Sequence, residues 1–174
     1  MACQPEISTD PSVLMHLPSR VIQASFHQGN EKFGSTKGIQ CSCISLFTIT
    51  FSAFKNVARW NCHDLEYVIE QGDALYKTTG RTDFLACTDL PKDLLIENVP
   101  VRVDFLPHAS YFGFLHRGTN CLSEIIGNLS ENHDHTGILF FCRGYTFSIL
   151  NLNGSGFIFI VDSHSRNSLG ERKY

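Results

Sequence analysis

The sequence contains no apolar run approaching the roughly 18 residues that a membrane span requires. It has no excess of positive charge: 14 Lys and Arg stand against 17 Asp and Glu, a net charge of -3. Without a basic excess there is little to hold a phosphate backbone, so nucleic acid is not an expected partner. A dense disulfide framework is missing as well. The seven cysteines, at positions 3, 41, 43, 62, 87, 121 and 142, are odd in number and widely spread. Pro5, Asp10 and Pro11 interrupt the stretch where a secretory signal would place its apolar core. These absences lead us to expect a reducing, intracellular setting in which free thiols are available for chemistry.

What is present suits one α+β domain. The 174 residues, 43% hydrophobic and 18% charged, are enough to bury a real core. Residues 1–19, with three prolines and no sustained period, read as a flexible leader to a domain over 20–174. Val21–Phe26 reads as a short strand ending at Gln28-Gly29-Asn30, before a polar loop with Gly34 and Gly38. Cys41–Phe54 is apolar on most sides, and its length predicts a buried helix rather than a strand. Asn61 is placed to cap a second helix with Asp64 in its first turn. Leu65, Val68, Ile69 and Leu75 form its stripe, and Gly72 is its expected weak point. Residues 78–93 read as a polar connection with a helical turn after Asp89-Leu90-Pro91. The alternation of Val99, Val101, Val103 and Phe105 predicts a strand over Ile96–Phe105. Thr119 is a candidate cap for a helix over 120–131. Three strands follow, Ile138–Cys142, Tyr145–Leu150 and Phe157–Asp162, the last two joined by a turn at Asn153-Gly154-Ser155-Gly156.

Two places carry chemistry. Gly38-Ile39-Gln40-Cys41 runs a glycine loop into a buried helix, so Cys41 falls at a helix N-terminus. There unpaired amides and the helix dipole favour a thiolate. Asp162 and His164, at i and i+2 where an apolar strand gives out, share one face. The carboxylate can then fix the imidazole tautomer while the other ring nitrogen faces a thiol. Gln28, upstream of the cysteine, is a candidate donor to an oxyanion beside the Cys41 amide.

These residues resemble a known family. Gln28-Gly29-Asn30-Glu31-Lys32-Phe33-Gly34, then Gly38-Ile39-Gln40-Cys41 and an apolar helix, is similar to the opening of the herpesvirus large tegument protein deubiquitinase domains. Tyr145-Thr146-Phe147 and Phe157–Arg166 look like that family's closing strands and Asp-x-His motif. Trp60–Leu65, with Gly72-Asp73 and Leu75-Tyr76, is similar to its second helix. Asp162-Ser163-His164-Ser165-Arg166 also resembles tegument-like proteases of transposon-type and bacterial proteins. The resemblance implies a papain-like cysteine protease fold, with a central helix bearing the nucleophile packed on a mostly antiparallel sheet. It implies cleavage after the C-terminal glycine of ubiquitin, in the cytoplasm or nucleus of a host cell, without cofactor or metal. Residue by residue it makes Cys41 the nucleophile, His164 the general base, Asp162 its orienting carboxylate and Gln28 the oxyanion donor. Viral members run on past the Asp-x-His motif, whereas ten residues follow His164 here. The resemblance covers roughly residues 20–168, strongest at its two ends and thin from 80 to 118.

Each residue has a plainer alternative. A cysteine is commonly a small core residue, and Cys43 is expected to be one. Cys62, Cys87, Cys121 and Cys142 are expected to be structural too. Aspartate often ends a strand, a histidine there is often a surface one, and a loop glutamine is usually solvated. His133-Asp134-His135 fits no standard zinc spacing and reads as a polar loop. Phe33 and the aromatics at 111–114 are expected in the core rather than against a protein ligand. Two other functions remain open: a protease for another ubiquitin-like modifier such as NEDD8, and a catalytically silent ubiquitin-binding module.

Overall fold

A computed structural model describes residues 21–105, 135–142, 144–152 and 158–165. Helix α1 spans Cys41–Phe54 and helix α2 spans Cys62–Thr78. Strands β1 (Asp93–Ile96) and β2 (Val99–Arg102) form one antiparallel pair. Strands β3 (His135–Cys142), β4 (Tyr145–Leu152) and β5 (Ile158–Val161) form an antiparallel sheet in that order. Short 3-10 turns cover Glu31–Thr36, Val57–Arg59 and Cys87–Asp89.

α1 is the central element, lying between α2 and the β3–β4 hairpin. Its threonines do not force a strand, because the hydroxyls of Thr48, Thr50 and Ser52 each find a carbonyl one turn back. Thr48 donates to Ile44 at 2.8 Å, Thr50 to Leu46 at 3.1 Å, and Ser52 to Ile49 at 2.7 Å. Polar groups are thus satisfied inside an otherwise apolar helix, whose Leu46, Phe47 and Phe51 enter the core beside Trp60, Val68 and Leu150.

α2 starts as its sequence predicts. The Asn61 side chain accepts from the His63 amide at 2.8 Å, and Asp64 accepts from the Asn61 amide at 2.9 Å. Gly72 is not a weak point. A Cβ placed there would lie 2.4 Å from Ile44 Cα, so Gly72 is where the two helices come closest.

Three other expectations change. Val21–Phe26 is extended and alternates in exposure but is not part of either sheet among the described residues, and its Ser25 amide bonds the Glu66 carboxylate. The helical turn falls at Cys87–Asp89, before Leu90 rather than after Pro91. The strand expected within Ile96–Phe105 is β2, Val99–Arg102, and it is preceded by a partner, β1, because Glu97 and Asn98 both take positive φ (49° and 67°) and reverse the chain. Among the cysteines, Cys43 is fully buried in the core, whereas Cys87 is exposed and packs in no core. Cys62 and Cys142 are half-buried. Phe33 is buried against Phe26. The helix at 120–131, the turn at 153–156, Cys121, His133, Asp134 and the aromatics at 111–114 lie outside the described residues.

Candidate functional site

The site forms where three segments meet: the loop 28–40, the first turn of α1, and the turn after β5. Gln28 ties them together through its backbone. Its amide donates to the Ser163 carbonyl at 3.0 Å, and its own carbonyl accepts from the Gly38 amide at 3.1 Å. The fully buried Gln40, at the cap of α1, donates its side-chain amide to the same carbonyl at 2.9 Å. Gly38, at φ 83°, makes the turn that delivers the chain into the helix, a conformation other residues adopt at a cost.

Cys41 is the first residue of α1 and is 1% exposed. His164 lies near enough to act on its thiol and lower its proton affinity. The Nδ1 atom of His164 is 2.5 Å from Asp162 Oδ1, which also accepts the His164 backbone amide at 3.0 Å. That contact leaves Nε2 as the ring atom facing the sulfur. The edge of the Tyr145 ring arrangement closes the other side of the imidazole, with ring centroids 4.6 Å apart.

The electrostatics follow from this geometry. Burial alone would raise the Cys41 thiol. Hydrogen bonds from His164 and Thr146, with the charge of His164, outweigh burial and hold the thiol below its ordinary 9.0. Burial likewise works against charge on His164, but Asp162 and Cys41 raise the imidazole above 6.5. Both shifts favour an imidazolium–thiolate pair. Cys43 lacks such partners, and burial pushes its thiol up to about 12. It packs as a neutral small hydrophobe.

Gln28 is 3% exposed, and its Oε1 accepts from Ser163 Oγ at 3.0 Å. This contact fixes the amide plane and leaves Nε2 as the end able to donate. A cavity of about 530 Å³ lies alongside, between residues 21–27, α2 and β5. Asp162, Ser163 and His164 line it, but Cys41 does not. Among the described residues no cluster of three metal-ligating side chains occurs, and no helix is long and apolar enough to cross a membrane.

The four candidate residues, Cys41, His164, Asp162 and Gln28, therefore sit in one connected polar cluster. Ser163, Thr146, Tyr145 and Gln40 stand within the sequence motifs but carry no role that the sequence alone assigns. Ser163 was within reach, since the alternation that pairs Asp162 with His164 sends the residue between them to the opposite side. Thr146 carried no local signal, because its neighbour in space is a helix more than one hundred residues away in sequence.

Comparison with known proteins agrees with this architecture. No curated protein sequence matches the chain. Among solved structures it is similar to the ubiquitin-specific protease encoded by murine cytomegalovirus tegument protein M48, crystallised with a ubiquitin-based suicide substrate. The TM-score is 0.65 at 10% sequence identity, covering 88% of this chain and 71% of the other. The likeness shows that the two chains share a fold, here α1 packed on an antiparallel sheet. Residues 23–174 match the model of the herpesvirus tegument protein N-terminal conserved region, and the chain belongs to that family.

Proposed function

We propose that the chain is a deubiquitinating cysteine protease, with Cys41 as nucleophile, His164 as general acid–base, Asp162 as its orienting carboxylate and Gln28 as oxyanion donor. One observation carries the reading: a cysteine at the start of a buried helix lies beside a histidine whose Nδ1 is held by a carboxylate. Family membership and the fold shared with the M48 protease support ubiquitin as the substrate.

His164 takes the Cys41 proton, and the thiolate attacks the carbonyl of the terminal glycine. The Cys41 backbone amide, unpaired at the helix start, and Gln28 Nε2 receive the oxyanion. His164 then returns the proton to the departing lysine amine, leaving a thioester that water hydrolyses. The near-complete burial of Cys41 supports a slender acyl donor such as a Gly-Gly tail.

Hydrolysis of fluorogenic ubiquitin and NEDD8 derivatives in direct competition tests the substrate. Preferential release from ubiquitin is expected. Turnover of NEDD8 alone would move the assignment to that modifier, and binding without turnover would make the chain a recognition module.

The pH profile of kcat/KM is expected to be bell-shaped. Activity should rise through a midpoint below the ordinary thiol value of 9.0, as Cys41 loses its proton. It should fall again through a midpoint above 6.5, as His164 loses its own. A single rising limb centred near 9 would contradict the ion pair.

Gln28→Ala is expected to lower kcat by about 10²-fold with a small change in KM, as for loss of one oxyanion donor. Its backbone bonds to Ser163, Gly38 and Gln40 survive the change. The bond from Ser163 Oγ to Gln28 Oε1 is lost, so the melting temperature should fall by the few degrees that one buried hydrogen bond is worth, with the fold retained. An unchanged kcat would remove Gln28 from the mechanism.

A further inference from the structure

Gln40 is fully buried at the cap of α1, and its side-chain amide has only one workable orientation. The Ile39 backbone amide donates to Gln40 Oε1 at 3.0 Å, and an N–H can face only an acceptor. The Nε2 end therefore faces the Gln28 carbonyl, to which it donates at 2.9 Å. A side chain at a helix cap usually turns forward to an amide of the first turn. Gln40 makes no such bond. Its own carbonyl accepts the Ile44 amide at 3.0 Å, so its backbone starts the helix while its side chain runs back to the loop.

The residue it reaches is held at several points. The Gln28 amide donates to the Ser163 carbonyl at 3.0 Å, and Gln28 Oε1 accepts from Ser163 Oγ at 3.0 Å. The Gln28 carbonyl takes the Gly38 amide at 3.1 Å and Gln40 Nε2, one donor for each lone pair. Of these partners, Gln40 alone is the neighbour of Cys41 in the chain. One buried side chain thus ties the peptide that precedes the cysteine to the residue that carries the other oxyanion donor.

We propose that Gln40 is a positioning residue of the oxyanion site, fixing Gln28 relative to the Cys41 amide. The proposal rests on Cys41 as nucleophile and Gln28 as oxyanion donor, and adds the group that sets the spacing of the two donors. Both must lie about 3 Å from the same oxygen to act on it together. A loop that drifts by about 1 Å loses much of that effect.

The test compares two small reagents on Cys41, with the modified residue mapped by mass spectrometry. With p-nitrophenyl acetate the sulfur attacks the acetyl carbonyl, an oxyanion forms and collapses, and p-nitrophenolate leaves. With iodoacetamide the sulfur displaces iodide from a saturated carbon, and no oxyanion forms. The ratio of the two rates therefore reports on the oxyanion site and cancels the thiolate fraction. Gln40→Met keeps the length of the side chain but has no N–H to give. Its ratio should fall about tenfold, within the roughly 10²-fold that Gln28→Ala removes. Added to Gln28→Ala, the same change should alter the ratio by less than about twofold, because no side-chain donor is left to position. An unchanged ratio in folded Gln40→Met would overturn the proposal, as would an equal fall in both backgrounds. Should Gln40→Met fail to fold, Gln40→Ala, which leaves room for water at the two freed backbone groups, is put through the same cycle. Failure of the underlying reading looks different: Gln28→Ala would keep the parent ratio, or the acetyl group would map away from Cys41. Either result would remove the proposal along with that reading.

Discussion

Cys41→Ala is expected to reduce hydrolysis of a fluorogenic ubiquitin substrate by about 10⁴-fold or more, the scale on which nucleophile loss acts in triad enzymes. Cys43→Ala should leave kcat/KM nearly unchanged. The two thiols are separated by two positions on one helix, yet their surroundings are opposite. Cys41 has His164 and Thr146 to support negative charge, whereas burial pushes Cys43 up to about 12. Cys43 should instead show its role in stability. It is fully buried among Leu46, Phe47, Val68 and Tyr76, and truncation removes a packed sulfur at a cost of about 1 kcal/mol. Activity and thermal unfolding measured on both variants should thus give opposite patterns. Activity lost in Cys43→Ala and kept in Cys41→Ala would overturn the assignment.

The second large effect is structural. On an exposed helix Gly→Ala is stabilising by about 1 kcal/mol, because alanine is the better helix former. Gly72→Ala should do the reverse. The added methyl would sit 2.4 Å from Ile44 Cα and 2.9 Å from Ile44 N, backbone atoms that cannot rotate aside. The helices must separate, and overpacking of this kind costs about 1–3 kcal/mol. For a chain of this size that is a fall in Tm of about 5 °C. Ile44 is in the first turn of α1, three residues from Cys41, so activity should fall along with stability. A raised Tm would show that the contact is looser than described. Gly137 makes the matching approach on the other face of α1, where a Cβ would lie 2.3 Å from Ile49 Cγ2. Glycine is therefore used on both sides of the helix that presents the cysteine.

The sequence made α1 and the start of α2 legible because each carries a local cause: an apolar run of helical length, and a capping pair three residues apart. The β3–β4–β5 meander was legible from its apolar runs. What it obscured depended on partners distant in the chain. Val21–Phe26 alternates as a strand does, but alternation reports two environments and not a ladder. In the structure the Ser25 amide goes to the Glu66 side chain. The alternation from Val99 onward was real, but it hid the turn at Glu97-Asn98, since hydrophobic period does not register a change of φ sign. Gly72 looked like a helix weakness because its reason lies on α1. At the site, Asp162 and His164 could be paired by strand geometry, and Cys41 could be placed at a helix start. Their meeting could be reached only through the family resemblance. Ser163 and Thr146 take their meaning from Gln28 and Ser42, far away in sequence: alternation puts Ser163 on the opposite side from Asp162 and His164 but names no partner for either residue.

The most direct measurement is reaction of the chain with ubiquitin bearing a C-terminal propargyl group, followed by mass-spectrometric mapping of the modified residue. A single ubiquitin adduct is predicted on Cys41, retained in Cys43→Ala and absent from Cys41→Ala. An adduct on Cys43 or on the exposed Cys87, or none on the unmodified chain, would contradict the assignment of this site to ubiquitin hydrolysis.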